Sequence, residues 1–318
     1  MLRFAAGRAV QMLVSLWVAL TVVFVAVTQL PGDPVRALFG FRAVPPDLYA
    51  AIRDQFHLDE PVWRQYLLYL GDVLTGDLGT SYPRDPFGTS TVGPAVTDTL
   101  TAAAPVSAVL LLGAIAVQLA VGVLAGALSA RGGSRVTGPG LYGLALLLVS
   151  TPVLVAAYVL RTVFAYQLGW LPTRGLFGGP VSYLLPVLAL SALSTGYVLL
   201  LTRSEVQEAL RSPYLRAAHG RGLSSSRLLL RHALRPSLIP VVAYVSGNVG
   251  QLVVGLVVVE RVFALPGIGS AIYAAIAEQD RSLLIGLVTV VMVVVIVANA
   301  ACDVLVAVLD PRLRTPGS

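Results

Sequence analysis

RSEVQEALRSPYLRAAHGRGLSSSRLLLRHALRPSLIP, residues 203–240, is the one long basic run in a very apolar chain. Seven Arg against two Glu give it a local balance of +5, and apolar segments flank it on both sides. A polar stretch of this size cannot lie in hydrocarbon, so it sits outside the bilayer. Arg-rich segments next to membrane-spanning helices stay in the cytoplasm, which predicts its side. Its local chemistry predicts two short helices. Ser212-Pro213 is a start signal, with Ser at the N-cap and Pro at the first helical position. Tyr214 to His219 follow, and Gly220 and Gly222 end the helix. One of Ser224, Ser225 or Ser226 caps a second helix running to Arg235, and Pro236 and Pro240 then punctuate the entry to the next apolar run. A short helix presented on the cytoplasmic face suits a partner's groove. The alternative is a basic loop that only sets topology or touches anionic lipid.

Composition sets the class. The chain has 318 residues, 56% of them hydrophobic and 12% charged, with a mean hydropathy of +0.81, as a polytopic membrane protein does. All 22 basic residues are Arg. A Walker-type phosphate loop needs its Lys, so an ATPase site within this chain is not expected. Cys302 stands alone, which excludes an internal disulfide and suggests a buried thiol. The net charge of +6 is explained by cytoplasmic loops and makes no case for nucleic acid.

Six apolar segments, at about 9–30, 100–130, 139–168, 181–202, 236–259 and 282–309, are long enough to cross a bilayer. A cleaved signal peptide is the alternative for the first, but its apolar run is too long and lacks a small-residue cleavage site. Alternating the connections puts 13 Arg inside and 9 outside, and five of those nine lie in the long polar stretch 31–99 that the rule discounts. The fold class expected is an all-α integral membrane protein with six transmembrane helices and both termini cytoplasmic. Its parts are residues 1–30 (cytoplasmic end and first span), 31–99 (extracytoplasmic region) and 100–318 (the other five spans, with the cytoplasmic loop 203–235 and a cytoplasmic tail).

Several motifs, in order, resemble the permeases of ABC importers, in the dipeptide/oligopeptide/nickel subtype. The subtype's cytoplasmic pattern stands here as Tyr214-Leu215-Arg216-Ala217-Ala218-His219-Gly220-Arg221-Gly222-Leu223, then His232-Ala233-Leu234-Arg235, then Ile239-Pro240. The family usually has Thr, Arg, Ala and Lys where this chain has Ala217, His219, Gly220 and Arg221. Pro31-Gly32-Asp33-Pro34, Leu58-Asp59-Glu60-Pro61, Gln65-Tyr66 and Gly76-Asp77-Leu78-Gly79 match the first external region, with His57 where Gly is usual. Read alone these are turn chemistry. Val259-Glu260-Arg261-Val262-Phe263 through Pro266-Gly267-Ile268-Gly269, and Leu309-Asp310-Pro311-Arg312, match further on. The resemblance implies that Tyr214–Leu223 is the helix that docks on an ATP-hydrolysing subunit. It implies a second homologous permease, two ATP-binding subunits holding ATP and Mg, and an extracytoplasmic substrate-binding protein. Peptides are the cargo implied, with nickel, glutathione or another small solute as the alternative.

The spans themselves disfavour ion coupling. Residues 9–30, 99–130, 175–202, 236–259 and 282–302 hold no Asp, Glu, Lys or Arg, and such residues mark proton and ion pathways. A stand-alone channel or secondary transporter is therefore the weaker reading. Tyr244, Asn248 and Gln251 fall at i, i+4 and i+7, one face of the fifth span, as pore-lining hydrogen-bonders or as helix–helix contacts. Gln118 and Asn299 are further amides of the same kind. No HExxH, CxxC or GxSxG occurs, and Gly88-Thr89-Ser90 lies in a Thr/Gly/Pro-rich stretch. Neither catalytic nor metal-binding residues are expected.

Overall fold

The structure, a computed structural model, describes residues 2–39, 45–83, 91–131, 136–220 and 223–309, without the side chains of 2–6, 8, 9, 219, 225 and 303–309. Gly88-Thr89-Ser90, Arg135 and the Asp310-Pro311-Arg312 motif lie outside the described residues. Among those described, fifteen α-helices, three π turns, one 3-10 helix (Gly179–Tyr183) and one isolated antiparallel bridge, Thr80 to Ala95, make up the regular structure. They fall into two compact units: residues 2–107 with 266–296, and residues 108–265 with the segment from Val297 onward.

The first unit opens on α1 (Leu2–Thr28), whose stretch Val10–Thr28 is long and apolar enough to span a membrane. The polar region that follows is largely helical: α2 (Pro34–Phe39), α3 (Pro46–Gln55) and α4 (Val62–Thr75). Its motifs are the joints between them. Asp33 caps α2 by accepting the Val35 N–H at 3.0 Å, and its other carboxylate oxygen accepts the Tyr49 hydroxyl. His57, in the Gly-like position, takes the left-handed φ of +52° in the turn closing α3. Gly76 and Gly79 also have positive φ, and the Gly79 N–H donates to Asp77 Oδ1 at 2.9 Å. The unit closes with the start of α5 (Val96–Val117), α14 (Ile268–Ala277) and most of α15 (Arg281–Leu309). Val23, Val27, Val96, Leu100, Leu283, Leu284 and Leu287 form its apolar core. Asp280 caps α15 through the Leu283 N–H (2.9 Å) and accepts the Ser81 hydroxyl and the Tyr82 N–H.

In the second unit α5 continues through a π turn, Gln118–Gly122, into α6 (Val123–Ala130). α7 (Thr137–Ser150) and α8 (Val153–Leu160), with the π turn Arg161–Gln167, meet at 109° across Thr151-Pro152. The expected third span is thus a bent pair, because Pro152 has no N–H to carry the helix through. α9 (Leu184–Arg211) is the unit's axis, packed against α6, α7 and α8. Glycines let these helices close on it. A Cβ on Gly126 would sit 2.7 Å from the Leu199 carbonyl, and one on Gly122 2.8 Å from the Val198 Cβ. After α9 come α10 (Pro213–Gly220), the single turn α11 (Ser225–Arg227), the π turn Leu228–Ala233, α12 (Leu234–Gly247) and α13 (Val249–Val262). Among the described residues five helices meet the length and hydropathy of a span, and counting the bent pair as one span makes six. Cys302 is half-buried rather than fully buried.

Candidate coupling segment and polar seam

The basic stretch is less of a loop than its composition predicts. Arg203–Arg211 is the last part of α9. The Ser212 hydroxyl does not cap α10: it donates back to the Ala209 carbonyl at 2.6 Å and so closes α9 instead. Ser212 is itself extended (ψ 144°), and this turns the chain into α10 at Pro213.

α10 has two faces. Leu215 is 2% exposed and joins Ala130, Val206, Leu228, Leu229 and Ala233 in one apolar cluster, with Ala218 and Leu223 packed on it. Leu215 is therefore the root that ties α10 to α9 and the π turn, and is not available to a partner. Tyr214, Arg216, Ala217 and Gly220 are exposed. The Arg216 Nε donates to the Arg211 carbonyl at 3.0 Å, which holds its guanidinium against the end of α9. The side chain of His219 and the residues Arg221 and Gly222 lie outside the described ones.

The second short helix does not exist as a separate element. The helix that starts at Ser225 runs on through Pro236 and Pro240 to Gly247, the latter part of it long enough to span. Pro236 has no N–H for the His232 carbonyl four residues earlier. The Tyr214 hydroxyl reaches that carbonyl at 3.4 Å. A side chain of α10 thus occupies a position that the proline leaves open.

The proposed polar face is divided between two helices. Asn248, with φ −88° and ψ −3°, stands between α12 and α13, so Tyr244, Asn248 and Gln251 do not share one helix. They gather around α9 instead. The Asn248 amide donates to Ser194 Oγ at 2.7 Å, and the Tyr244 ring lies 5.8 Å from that of Tyr197. Gln251 and Ser194 both line a cavity of about 70 Å³ with Val153, Leu190 and Gly255. Ser194 and Tyr197 were missed in the sequence, where Ser-Thr-Gly-Tyr in an apolar run was the available signal. Gln118 is fully buried in the π turn, with neither amide atom hydrogen-bonded. At the far end of α8, Arg161 donates to the Thr173 and Val262 carbonyls and to the Tyr166 hydroxyl, fastening the loop after α8 to the end of α13.

A multi-pass helical bundle with spans nearly free of charge, and with a small basic helix rooted on its axis, defines a membrane permease. Residues 122–315 match the family described as "Binding-protein-dependent transport system inner membrane component", and residues 1–110 match the corresponding N-terminal family. The chain belongs to that family, the permeases of ABC importers. It is 36% identical to the "Oligopeptide transport system permease protein OppB" of Haemophilus influenzae, over 99% of this chain and 100% of that protein. It is 34% identical to the protein of the same name from Escherichia coli K12, with the same coverage. The "Dipeptide transport system permease protein DppB" of Lactococcus lactis is 30% identical, again over 99% and 100%. Among solved structures, the inward-facing MetNI methionine ABC transporter has a chain that aligns with a TM-score of 0.52 at 15% identity, covering 68% of this chain and 94% of that one. That likeness concerns the fold.

Proposed function

We propose that this chain is one of two homologous permease subunits that form the pathway of an ATP-driven importer of di- and oligopeptides. Two ATP-binding subunits, holding ATP and Mg, supply the energy, and an extracytoplasmic binding protein delivers the cargo. The peptide cargo rests on the names of the full-length relatives. The coupling role rests on one observation: α10 presents Tyr214, Arg216, Ala217 and Gly220 outward while Leu215 anchors it to α9. A push on the outer face is therefore passed to the axis of the bundle, as a two-state transporter requires. On this reading α10 and both termini are cytoplasmic, residues 31–99 face outward, and Tyr244, Asn248 and Gln251 border the pathway.

The test is purification from the native membrane in mild detergent, followed by identification of what co-purifies and by ATP-dependent peptide uptake in liposomes. Arg216→Glu is expected to lower uptake on the order of tenfold, equivalent to about 1.4 kcal/mol of lost docking, while the assembly still forms. Wild-type uptake by that variant would remove the role given to α10, and transport by the chain alone without ATP would remove the larger reading.

A further inference from the structure

α4 lies in the polar region after the first span, yet it has no buried residue and displays a hydrophobic stripe. Trp63, Leu67 and Leu74 are 65%, 57% and 88% exposed. At 100° per residue these three fall within about 40° of one another. A water-facing helix has no physical reason to carry such a stripe.

Two tethers place the helix. The Tyr66 hydroxyl pairs with Thr21 Oγ1 at 2.6 Å, and that of Tyr69 with Thr289 Oγ1 at 2.7 Å. The Phe24 ring lies 5.3 and 5.4 Å from the two tyrosine rings. Thr21 is seven residues inside the end of α1, and Thr289 eight residues inside the start of α15. Those two ends lie at one level, because Arg281 donates to the Leu30 and Gly32 carbonyls. At 1.5 Å per residue, both tethers sit about 10–12 Å below that level, along the two spans.

The opposite side of α4 is mixed, with Gln65 and Asp72 set among Val62, Leu68, Tyr69 and Val73. Gln65 and Asp72 line a cleft of about 690 Å³ whose wall includes Asp33, His57, Arg53 and Thr80. α1, to which the helix is tethered, likewise exposes Trp17, Val18, Val22 and Val25.

We propose that α4 is embedded in the outer part of the bilayer, as the wall between lipid and this aqueous cleft. Trp63, Leu67 and Leu74 rest against acyl chains, and Gln65 and Asp72 face the cleft. The region between the first two spans is then in part a membrane element and not wholly an extramembrane one.

Single cysteines at Leu67, Leu74, Gln65 and Asp72 test this in a Cys302→Ala chain. Each is labelled with a nitroxide and reconstituted, with whatever subunits co-purify, in phosphatidylcholine–phosphatidylglycerol vesicles. The cysteine-free chain is the blank. Collision with oxygen should exceed collision with a water-soluble nickel chelate at 67 and 74, and the order should invert at 65 and 72. Nickel exceeding oxygen at 67 and 74 overturns the proposal, since the stripe is then in water. Exclusion of both probes there also overturns it, since a protein surface then covers the stripe. A Trp17→Phe, Trp170→Phe chain, which retains only Trp63, gives a second reading. Its fluorescence should be quenched by brominated acyl chains more than by acrylamide, and the reverse order counts against lipid contact.

Discussion

His57 is an L-residue held at φ +52°, a conformation that costs a side chain roughly 1–2 kcal/mol and costs glycine almost nothing. His57→Gly should therefore raise stability by about 1 kcal/mol, read as a higher thermal midpoint in detergent. Two aspartates in the same unit respond to acid in opposite directions. Burial pushes the Asp33 carboxyl up, but the Tyr49 hydroxyl, the Arg36 and Val35 N–H groups and the Arg53 charge outweigh it, leaving its pKa below the ordinary value. Burial also pushes Asp280 up, with Glu278 adding to it, and there the hydrogen bonds from Ser81, Leu283 and Tyr82 do not reverse the shift. A lowered folded pKa contributes stability that is lost as pH falls through it, below the ordinary aspartate value of about 4. A raised one contributes stability that is complete below about 4 and is lost as pH rises through the folded pKa. Between neutral pH and about 4 the wild type should thus gain on Asp280→Asn, and below about 4 it should lose ground to Asp33→Asn. Thermal midpoints of the three proteins across that range check both signs.

At the scale of the helix, close approach decides packing. Gly126→Ala places a methyl 2.7 Å from the Leu199 carbonyl and 2.6 Å from the Thr202 Cβ, on the axial helix. It should destabilise by about 1–3 kcal/mol. Gly140→Ala, in α7 with nothing within 4 Å, should be neutral or stabilise by up to about 1 kcal/mol. Thermal midpoints of the pair separate packing from helix propensity. The elements differ in how well their residues announce them. The apolar runs and the turns at Asp33, His57 and Gly76 were legible, because burial and positive φ each demand particular residue types. The helices within 31–99 were hidden, since turn residues dominate that stretch and the apolar period of Val62–Thr75 was not weighed against them. Ser212-Pro213 has the composition of a helix start, but its hydroxyl serves the helix behind it, a choice that depends on where α9 ends. Pro236 and Pro240 looked like stops. Instead the helix passes through both, with a π turn just before Pro236 and the Tyr214 hydroxyl on the carbonyl that proline leaves open. The break at Asn248 had no such marker, and it divides the three polar residues between two helices although all three meet α9. The convergence on Ser194 is a tertiary fact that no single-helix pattern contains.

Across the whole molecule, the scarcity of ionisable groups in the spans bears on energy supply. Residues 9–30, 99–130, 175–202, 236–259 and 282–302 hold no Asp, Glu, His, Lys or Arg, so a proton path through them lacks its usual carriers. Uptake in reconstituted vesicles should accordingly persist when a protonophore collapses the proton gradient, provided ATP remains. Collapse of uptake with ATP present would point to an ion-coupled mechanism. The bend at Thr151-Pro152 has its own consequence, for biogenesis. Its arms, Thr137–Ser150 and Val153–Gln167, contain 14 and 15 residues, and a membrane crossing needs about 20. Neither arm can be committed to the bilayer by its own hydrophobicity. α7 finds its seat against Gly196, where the Ala145 carbonyl and Val149 come within 3 Å of a Cβ position. Gly196 leaves the ribosome only after both arms have been made, so their lateral entry into lipid waits on a helix still being synthesised.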